Sequence, residues 1–514
     1  MESIGLGRWW AAAGLVLGVI AVGLDVTVLS IALPTLAVSL HASESDLQWF
    51  SSGYALTLAA GMLPAGVLGD RFGRKRVMVG ALLVFAAGSV ACAYAPNPGA
   101  FLAARALLGA AGAAIVVMVL SIFTVLFSEE ERPRAVGIWA AANFLALPIG
   151  PIFGGWLLTH YWWGWIFLMN VPVAALGLAA VIALVPESRA AERPALDPVG
   201  MVTASAGLGG VVYGLIELGR NGWTDAPSLA ILGAGVVVIA GFFSWERWLT
   251  VRPEGRPLID LSLFRSSGFT WGVILAAVGG LALIGLVFTL PQYSQGVLGL
   301  DPQGSGIRLL PIIGGLVLGA VPADRIADRV GAKLTVATGF AITGAGLAWG
   351  ATTSVDSSWW YVPAWNAAVG FGMGISFSTS ASAALKTVPS ERAGVASALI
   401  QAMQKVGAPL GSAILGSVLV TGYQSQLNLT GLPSRVADAV KQSVFAGVAV
   451  AEKAHSPVML ESVRRAFVHG MDVALLVSAG IAFLGAMLAL VFLPGRKVAA
   501  KSADIAGRQE GLVA

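Results

Sequence analysis

The sequence predicts an all-α polytopic membrane protein, with fourteen transmembrane helices in two six-helix bundles and two additional helices between them. Three observations carry this reading. Of the 514 residues, 57% are hydrophobic and only 11% charged, less than half the charged share of a soluble domain, about 25%. The apolar residues arrive in blocks of about 20, the length a helix needs to cross roughly 30 Å of hydrocarbon. Finally, Pro64-Ala-Gly-Val-Leu-Gly-Asp-Arg-Phe-Gly-Arg-Lys75 recurs as Pro322-Ala-Asp-Arg-Ile-Ala-Asp-Arg-Val-Gly-Ala-Lys333, a displacement of 258 residues.

The segment at 9–33 opens the series. A cleavable signal peptide is its rival reading, but the apolar run continues past Asp25 to about Ala37, longer than such a core. Segments 49–68, 77–95, 101–124, 135–158 and 164–185 follow across short charged connections. Six spans therefore end near residue 190, and the displacement of the repeat is about two helices too long for a simple doubling. Segments 199–218 and 229–248 supply those two. The second bundle takes 268–290, 306–324, 334–352, 360–384, 399–421 and 471–493. The domain reading is thus 1–190 for the N-terminal bundle, 191–257 for the additional pair, and 258–514 for the C-terminal bundle and its tail. Proline and glycine inside spans are tolerated because neighbouring helices re-satisfy backbone groups. Residues 422–470 are polar enough to leave the membrane. Their amphipathic stretches at 435–451 and 458–468, around His455-Ser456-Pro457, read as an outer helical hairpin, with a passive loop as the alternative.

Twenty-two of the 31 Lys and Arg residues fall on one set of alternating connections, and most of the six opposite them sit in the long 422–470 loop, where the rule is weak. Both termini are therefore expected in the cytoplasm. The same dispersal of charge gives no basic groove, so nucleic acid is not an expected partner. The lone cysteine, Cys92, and the scattered histidines at 41, 160, 455 and 469 support neither a disulfide framework nor a metal site. No phosphate-cradling Gly-x-x-x-x-Gly-Lys-Ser/Thr run is present, and no nucleophile and base pair marks an enzyme. The expected partners are small amphipathic substrates and membrane lipids, with protons as coupling ion and no cofactor.

Gly66-Val-Leu-Gly-Asp70-Arg71-Phe-Gly73-Arg74-Lys75-Arg76 resembles the signature between the second and third helices of the major facilitator superfamily. Further stretches are similar to its fourteen-helix drug:proton antiporters, which include multidrug and quaternary-ammonium exporters: Leu24-Asp25-Val-Thr27 through Pro34, Arg105-Ala-Leu-Leu-Gly109-Ala-Ala-Gly112, Gly150-Pro151-Ile-Phe-Gly154-Gly155, and Trp163-Gly-Trp165 through Pro172. Leu290-Pro-Gln292-Tyr-Ser-Gln295, followed by Gly306 through Pro311, also resembles this group. Departures are Ser30 for a common asparagine, Ala146 for a glycine, and Gly164 for a frequent arginine. The resemblance implies a functional monomer in a prokaryotic cytoplasmic membrane. It would exchange protons for outward-moving amphipathic, cationic drugs by alternating access. A narrow-substrate exporter of an antibiotic, metabolite or lipid-like molecule is the alternative, and a passive channel is the rival from another class.

A carboxyl group late in the first helix is costly to leave ionised, which makes Asp25 a candidate proton carrier, with capping or structural pairing as the alternative. Arg105 is the only basic residue of the fourth span. It stays charged and so can orient a carboxylate but not carry the proton. Because the resemblance puts helices one and four in one bundle, Asp25 is its first candidate partner. Asp324 is a third coupling candidate, although Arg325 offers it an immediate pair. Asp70, Arg71, Gly73 and Arg74, with Asp328 and Arg329 in the repeat, form candidate gating turns, and simple cytoplasmic anchoring is the alternative. Gly150, Pro151, Gly154 and Gly155 permit a bend or close helix crossing that helps set which face is sealed. Glu217 is the candidate for attracting a cation, with capping or anchoring of an outer helix end as the alternative, and Glu246, among Trp245 and Trp248, reads as structural. Trp139, Asn143, Phe144, Gln292, Tyr293, Trp365 and Asn366 complete the candidate substrate-binding set, against packing and interhelical hydrogen bonding, the reading that also applies to Asn170.

Overall fold

The computed structural model describes residues 2–128, 131–189, 197–252, 261–385, 388, 393–430 and 432–494. The side chains of some helical residues, Asn143 and Phe144 among them, lie outside that description, as do the domain boundaries expected at 190 and 257 and most of the C-terminal tail. The described elements are helical throughout. In the first half they are α1 (Glu2–Ser39), α2 (Glu44–Phe72), α3 (Arg74–Ala93), α4 (Pro98–Leu126), α5 (Arg132–His160), α6 (Trp165–Leu168) and α7 (Asn170–Leu184). The pair α8 (Pro198–Asn221) and α9 (Ala226–Val251) follows. Next come α10 (Ser267–Gln292), α11 (Pro302–Ile307), α12 (Leu310–Val330), α13 (Ala332–Gly350), α14 (Tyr361–Leu385), α15 (Ala393–Gln426), α16 (Ser434–Gln442), α17 (Val444–Lys453) and α18 (Pro457–Phe492). A helix occupies every segment expected to span. Among the described residues, nine helices combine the length and apolarity of a membrane crossing, or ten when α2, bent by 47° at Pro64, is taken as one span.

Local chemistry sets the helix starts. Asn97, Asp197, Asp225 and Asp301 each accept a backbone N–H three residues on, and each is followed within two residues by the proline of the first turn. The side chain satisfies an orphan donor and the proline costs no hydrogen bond there. Ser43 and Asp46 form a reciprocal capping box at the start of α2. Large apolar side chains face outward on the same helices, with Leu176, Val202, Val237 and Leu318 all more than 60% exposed. Such a surface requires lipid rather than water.

The chain groups into two compact units. The first comprises Met1–Ile259, Ile284–Leu310 and Ala408–Ala474; the second comprises Asp260–Leu283, Pro311–Gly407 and Leu475–Ala514. α10, α15 and α18 each contribute one part to each unit. Within the first, α1 packs on α4, α5 and α7, α2 on α4 and α8, and α8 on α9. Gly210 lies so close to Gly235 that an added Cβ would come within 3.1 Å of its Cα, so the additional pair is held by direct backbone approach. Within the second unit α13 packs on α14, where Gly350 receives the Trp365 ring.

The duplicated turn is repeated in backbone geometry. Gly73 and Gly331 occupy matching positions of the repeat and hold φ values of +111° and +98°, a conformation that side-chain-bearing residues rarely adopt. The expected outer hairpin is different from its sequence reading. Ser443 adopts an extended conformation and caps α17, so the first amphipathic stretch breaks into α16 and α17. The second stretch is not a separate helix, because Pro457 starts α18 and the chain continues without a break into the last span.

Candidate functional site

A buried polar arrangement in the first unit joins α1, α4 and α7. Asp25 and Arg105 form an ion pair in which each side chain is 1% exposed. Asn170 Nδ2 donates to Asp25 Oδ1 at 3.4 Å and lies 3.5 Å from Ser89 Oγ of α3. Arg105 Nε donates to the Phe50 carbonyl at 3.4 Å, and its guanidinium lies over the Tyr54 ring at 4.2 Å and the Phe167 ring at 6.0 Å. Phe101 touches Phe50 and Phe167 edge-on, with centroids 4.5 and 5.4 Å apart, and closes apolar surface around the pair. The Tyr54 hydroxyl is buried without a hydrogen-bond partner. Two charges removed from water persist only when each neutralises the other and remaining donors are satisfied. The guanidinium fork suits this because it serves a carboxylate, a carbonyl and an aromatic face at once.

Beside this pair the glycine motif of α5 is a set of close approaches. Gly150 and Gly154 face Thr27 and Val28 of α1; a Cβ on Gly154 would meet Val28 Cγ1 at 2.6 Å. Gly155 faces α11, where a Cβ would lie 2.8 Å from the Pro302 carbonyl, and Gly306 of α11 approaches the Pro151 carbonyl in return. Ala146, which departs from the common glycine, packs its methyl against Gly23, the space a Cβ there would fill. Ser30, the other departure, donates to the Thr27 carbonyl at 2.8 Å.

The basic turn after α2 is tied down. Asp70 accepts from Arg74 Nε and Nη2 at 3.0 and 2.9 Å, and Arg74 Nη1 donates to the Ser121 carbonyl of α4 at 3.1 Å. Glu187, beyond α7, accepts from the Lys75 N–H at 3.2 Å and pairs with Arg76 at 3.5 Å. Lys75 Nζ donates to the Ile182 carbonyl at 2.8 Å. Gly73 is required twice, by its backbone angle and because a Cβ would lie 2.5 Å from Glu187 Oε1. Arg71 stacks on Phe72 at 5.7 Å. In the repeat, Asp328 and Arg329 are both exposed at the end of α12.

The remaining candidates are dispersed. Asp324 is exposed on α12 in the second unit. Glu217 is half-buried in the last turn of α8, where Asn221 Nδ2 donates to it at 3.1 Å. Glu246 is fully buried, and neighbouring Trp245 donates its indole N–H to both Asp197 oxygens at 3.1 Å. Trp139, Gln292 and Tyr293 are buried in the first unit, Trp365 and Asn366 in the second. Both side-chain polar atoms of Asn366 lack a hydrogen-bond partner. Phe50, Tyr54, Ser89 and Glu187 escaped the sequence reading. The three near the ion pair look like ordinary span residues until α2 and α3 are laid against α4 and α7.

The family model described as Major Facilitator Superfamily matches residues 15–412. This chain belongs to the Major Facilitator Superfamily. It is a member of a family of membrane transporters, not of enzymes. A tetracenomycin C resistance and export protein of Streptomyces glaucescens is 32% identical, across 94% of this chain and 91% of that protein. A multidrug efflux pump of Mycolicibacterium smegmatis, LfrA, is 31% identical, across 93% and 95% of the two chains. Among solved structures, a bacterial homologue of the human lysosomal transporter Spinster, in an inward-facing and occupied conformation, has a TM-score of 0.65 at 16% identity, covering 94% of this chain and 96% of that one. That likeness concerns the fold alone.

Proposed function

We propose that this facilitator exports amphipathic, cationic drugs or dyes in exchange for protons, by alternating access, from a bacterial cytoplasmic membrane with both termini inside. The observation that carries the reading is the sealed Asp25–Arg105 pair. Arg105 keeps its charge, so a proton arriving at Asp25 cancels the attraction that holds α1 to α4. The guanidinium then keeps the Phe50 carbonyl and the Tyr54 and Phe167 faces as partners. The helices repack, and because Gly150 and Gly154 ride directly on Thr27 and Val28, a shift of α1 is passed to α5. Proton release inside restores the pair. Asp70, Arg71, Gly73 and Arg74, with Asp328 and Arg329, act as the gating turns, and Gly155 and Pro151 as part of the opposite seal.

In this reading Glu217 attracts the positive substrate, and Trp139, Asn143, Phe144, Gln292, Tyr293, Trp365 and Asn366 supply aromatic and amide surface. Asp324 is the remaining coupling acid. The export and efflux named for the two relatives support outward movement of drug-like molecules. A second reading, export of a single natural product, is favoured by the first relative, which is named for one compound.

Purified protein in vesicles, with pH and voltage set independently, decides the matter. A panel of cationic, neutral and anionic compounds should show uphill movement of the cations driven by a proton gradient. Equal rates and end points with and without the gradient would overturn the proposal. Movement of one compound alone would select the narrow-substrate reading.

A further inference from the structure

A polar stripe on α2 is not used by the mechanism above. Glu44, Gln48 and Ser52 stand at successive i, i+4 positions and so share one helix face. All three are buried, at 5%, 1% and 0% exposed. The stripe is met by parts of later helices within the same compact unit. Ser52 and Ser412 of α15 hydrogen-bond at 2.6 Å. Gln48 Oε1 lies 3.5 Å from Ser417 Oγ, which also donates to the Leu215 carbonyl of α8 at 2.8 Å. Gly416 makes room, since a Cβ there would meet Gln48 Cδ at 2.7 Å. At the head of the stripe, Glu44 lies against the side chain of Gln292, the last residue of α10 before its π-helical turn at Tyr293–Val297. Nearby, Gln295 Nε2 donates to the Ile31 carbonyl of α1 at 3.0 Å, which ties the same turn to the first half of the chain.

Two of the three rungs are neutral and one is an acid. Glu44 Oε1 has no hydrogen-bond partner, and none of the ion pairs among the described residues includes Glu44. The titratable group of α15 that feels its charge is the Tyr423 phenol, whose hydroxyl donates to the Val440 and Ser443 carbonyls at 2.8 and 3.4 Å. Gln292 of α10 is uncharged, and beyond it Arg308 and Asp472 of α18 act on Tyr293 rather than on Glu44. On the adjoining turn and on α2 itself, His41 is exposed and Asp46 is engaged by the Ser43 cap. A carboxylate sealed in this place would be a buried charge without a cation, which interiors do not retain.

We propose that Glu44 is a protonatable latch on the outer gate: it must take a proton from the external side for the stripe to close, and gives it back to that side when the gate opens. "Outer" here rests on the proposed orientation, with the α1–α2 turn outside. The latch is distinct from the coupling site at Asp25. Its proton returns to the side it came from, so it controls when the gate closes without adding to the protons transported. An alkaline exterior leaves Glu44 ionised and hydrated and holds the gate open.

The test uses the full chain in lipid nanodiscs with spin labels on cysteines placed at two exposed positions, Ser39 and Ser425, while native Cys92 is fully buried and stays in place. Distance distributions are recorded across pH in an Asp25→Asn background, which removes the coupling acid. The short-distance population should grow as pH falls, should be high at every pH in Glu44→Gln, and should titrate again in Glu44→Asp, which keeps a proton-accepting group and guards against a merely misfolded amide variant. A titration unchanged by Glu44→Gln, or absent before Glu44 is altered, overturns the latch. Proton-driven exchange of Asp25→Asn, measured separately in vesicles, tells that failure from a failure of the transport reading.

Discussion

Arg105 on α4 pairs with Asp25 on α1 at a depth where each side chain is 1% exposed, and Asn170 of α7 completes the contact at 3.4 Å. One carboxylate thus joins three helices, and the strength of that junction depends on a single proton. Arginine at the other end makes the switch one-sided, since only the acid changes charge.

Asp25→Asn should abolish proton-driven uphill efflux while the protein still inserts at normal abundance. The amide preserves shape and hydrogen bonding but cannot take the proton. Transport assays in vesicles at matched protein levels check this; undiminished proton-driven efflux would reject the assignment.

Arg105→Ala should be the more destabilising change, because it leaves a buried carboxylate unpaired. Removing one partner of a buried pair costs about 3–5 kcal/mol. The unfolding midpoint in detergent should fall clearly, and the double variant Asp25→Asn/Arg105→Ala should recover part of the loss. Additive losses in that cycle would show that the two residues do not act together.

At the basic turn, Gly73→Ala should distort the connection and change the kinetics of access between the two sides. Its φ of +111° costs about 1–3 kcal/mol for a side-chain-bearing residue, and the new methyl would press on Glu187. Asp70→Asn, which weakens the bonds from Arg74, should alter the same kinetics with less effect on substrate affinity. Accessibility labelling under a proton gradient reads both; unchanged kinetics in the pair would leave the turn an anchor only.

Gly155→Leu should prevent the close approach of α5 to α11, where even a methyl would lie 2.8 Å from the Pro302 carbonyl. The expected outcome is a shift of the conformational population away from this sealed arrangement and a loss of exchange of at least several-fold. Wild-type exchange in this variant would mean that the two helices need not meet during transport.

Glu217→Gln should weaken efflux of cationic dyes selectively. Parallel losses for neutral and cationic compounds would instead assign Glu217 to the α8 end, through its bond from Asn221.

Much of this was readable in one dimension. Asp25 and Arg105 stand out because a charge inside an apolar span needs a reason, and the glycine set of α5 stands out because it removes bulk from a membrane helix. Glu44 and Glu187 were not singled out, since both lie at the ends of apolar runs where acids are ordinary. The helix boundaries of the 422–470 segment differ from the expectation for a related cause: amphipathic periodicity marks helical stretches, but the Ser443 cap and the Pro457 start decide where one helix stops and whether another is continuous with the last span.

The helical segments, their membrane setting and the repeated turn follow from the order of residues alone, because blocks of apolar residues and φ-permissive glycines act locally. That Asp25 meets Arg105, that Glu44 meets Gln292, and that Glu187 closes the Gly73 turn comes from the folded chain. Those meetings depend on which helix faces approach one another, and that is set by side-chain packing between segments far apart in the chain, which no local pattern encodes.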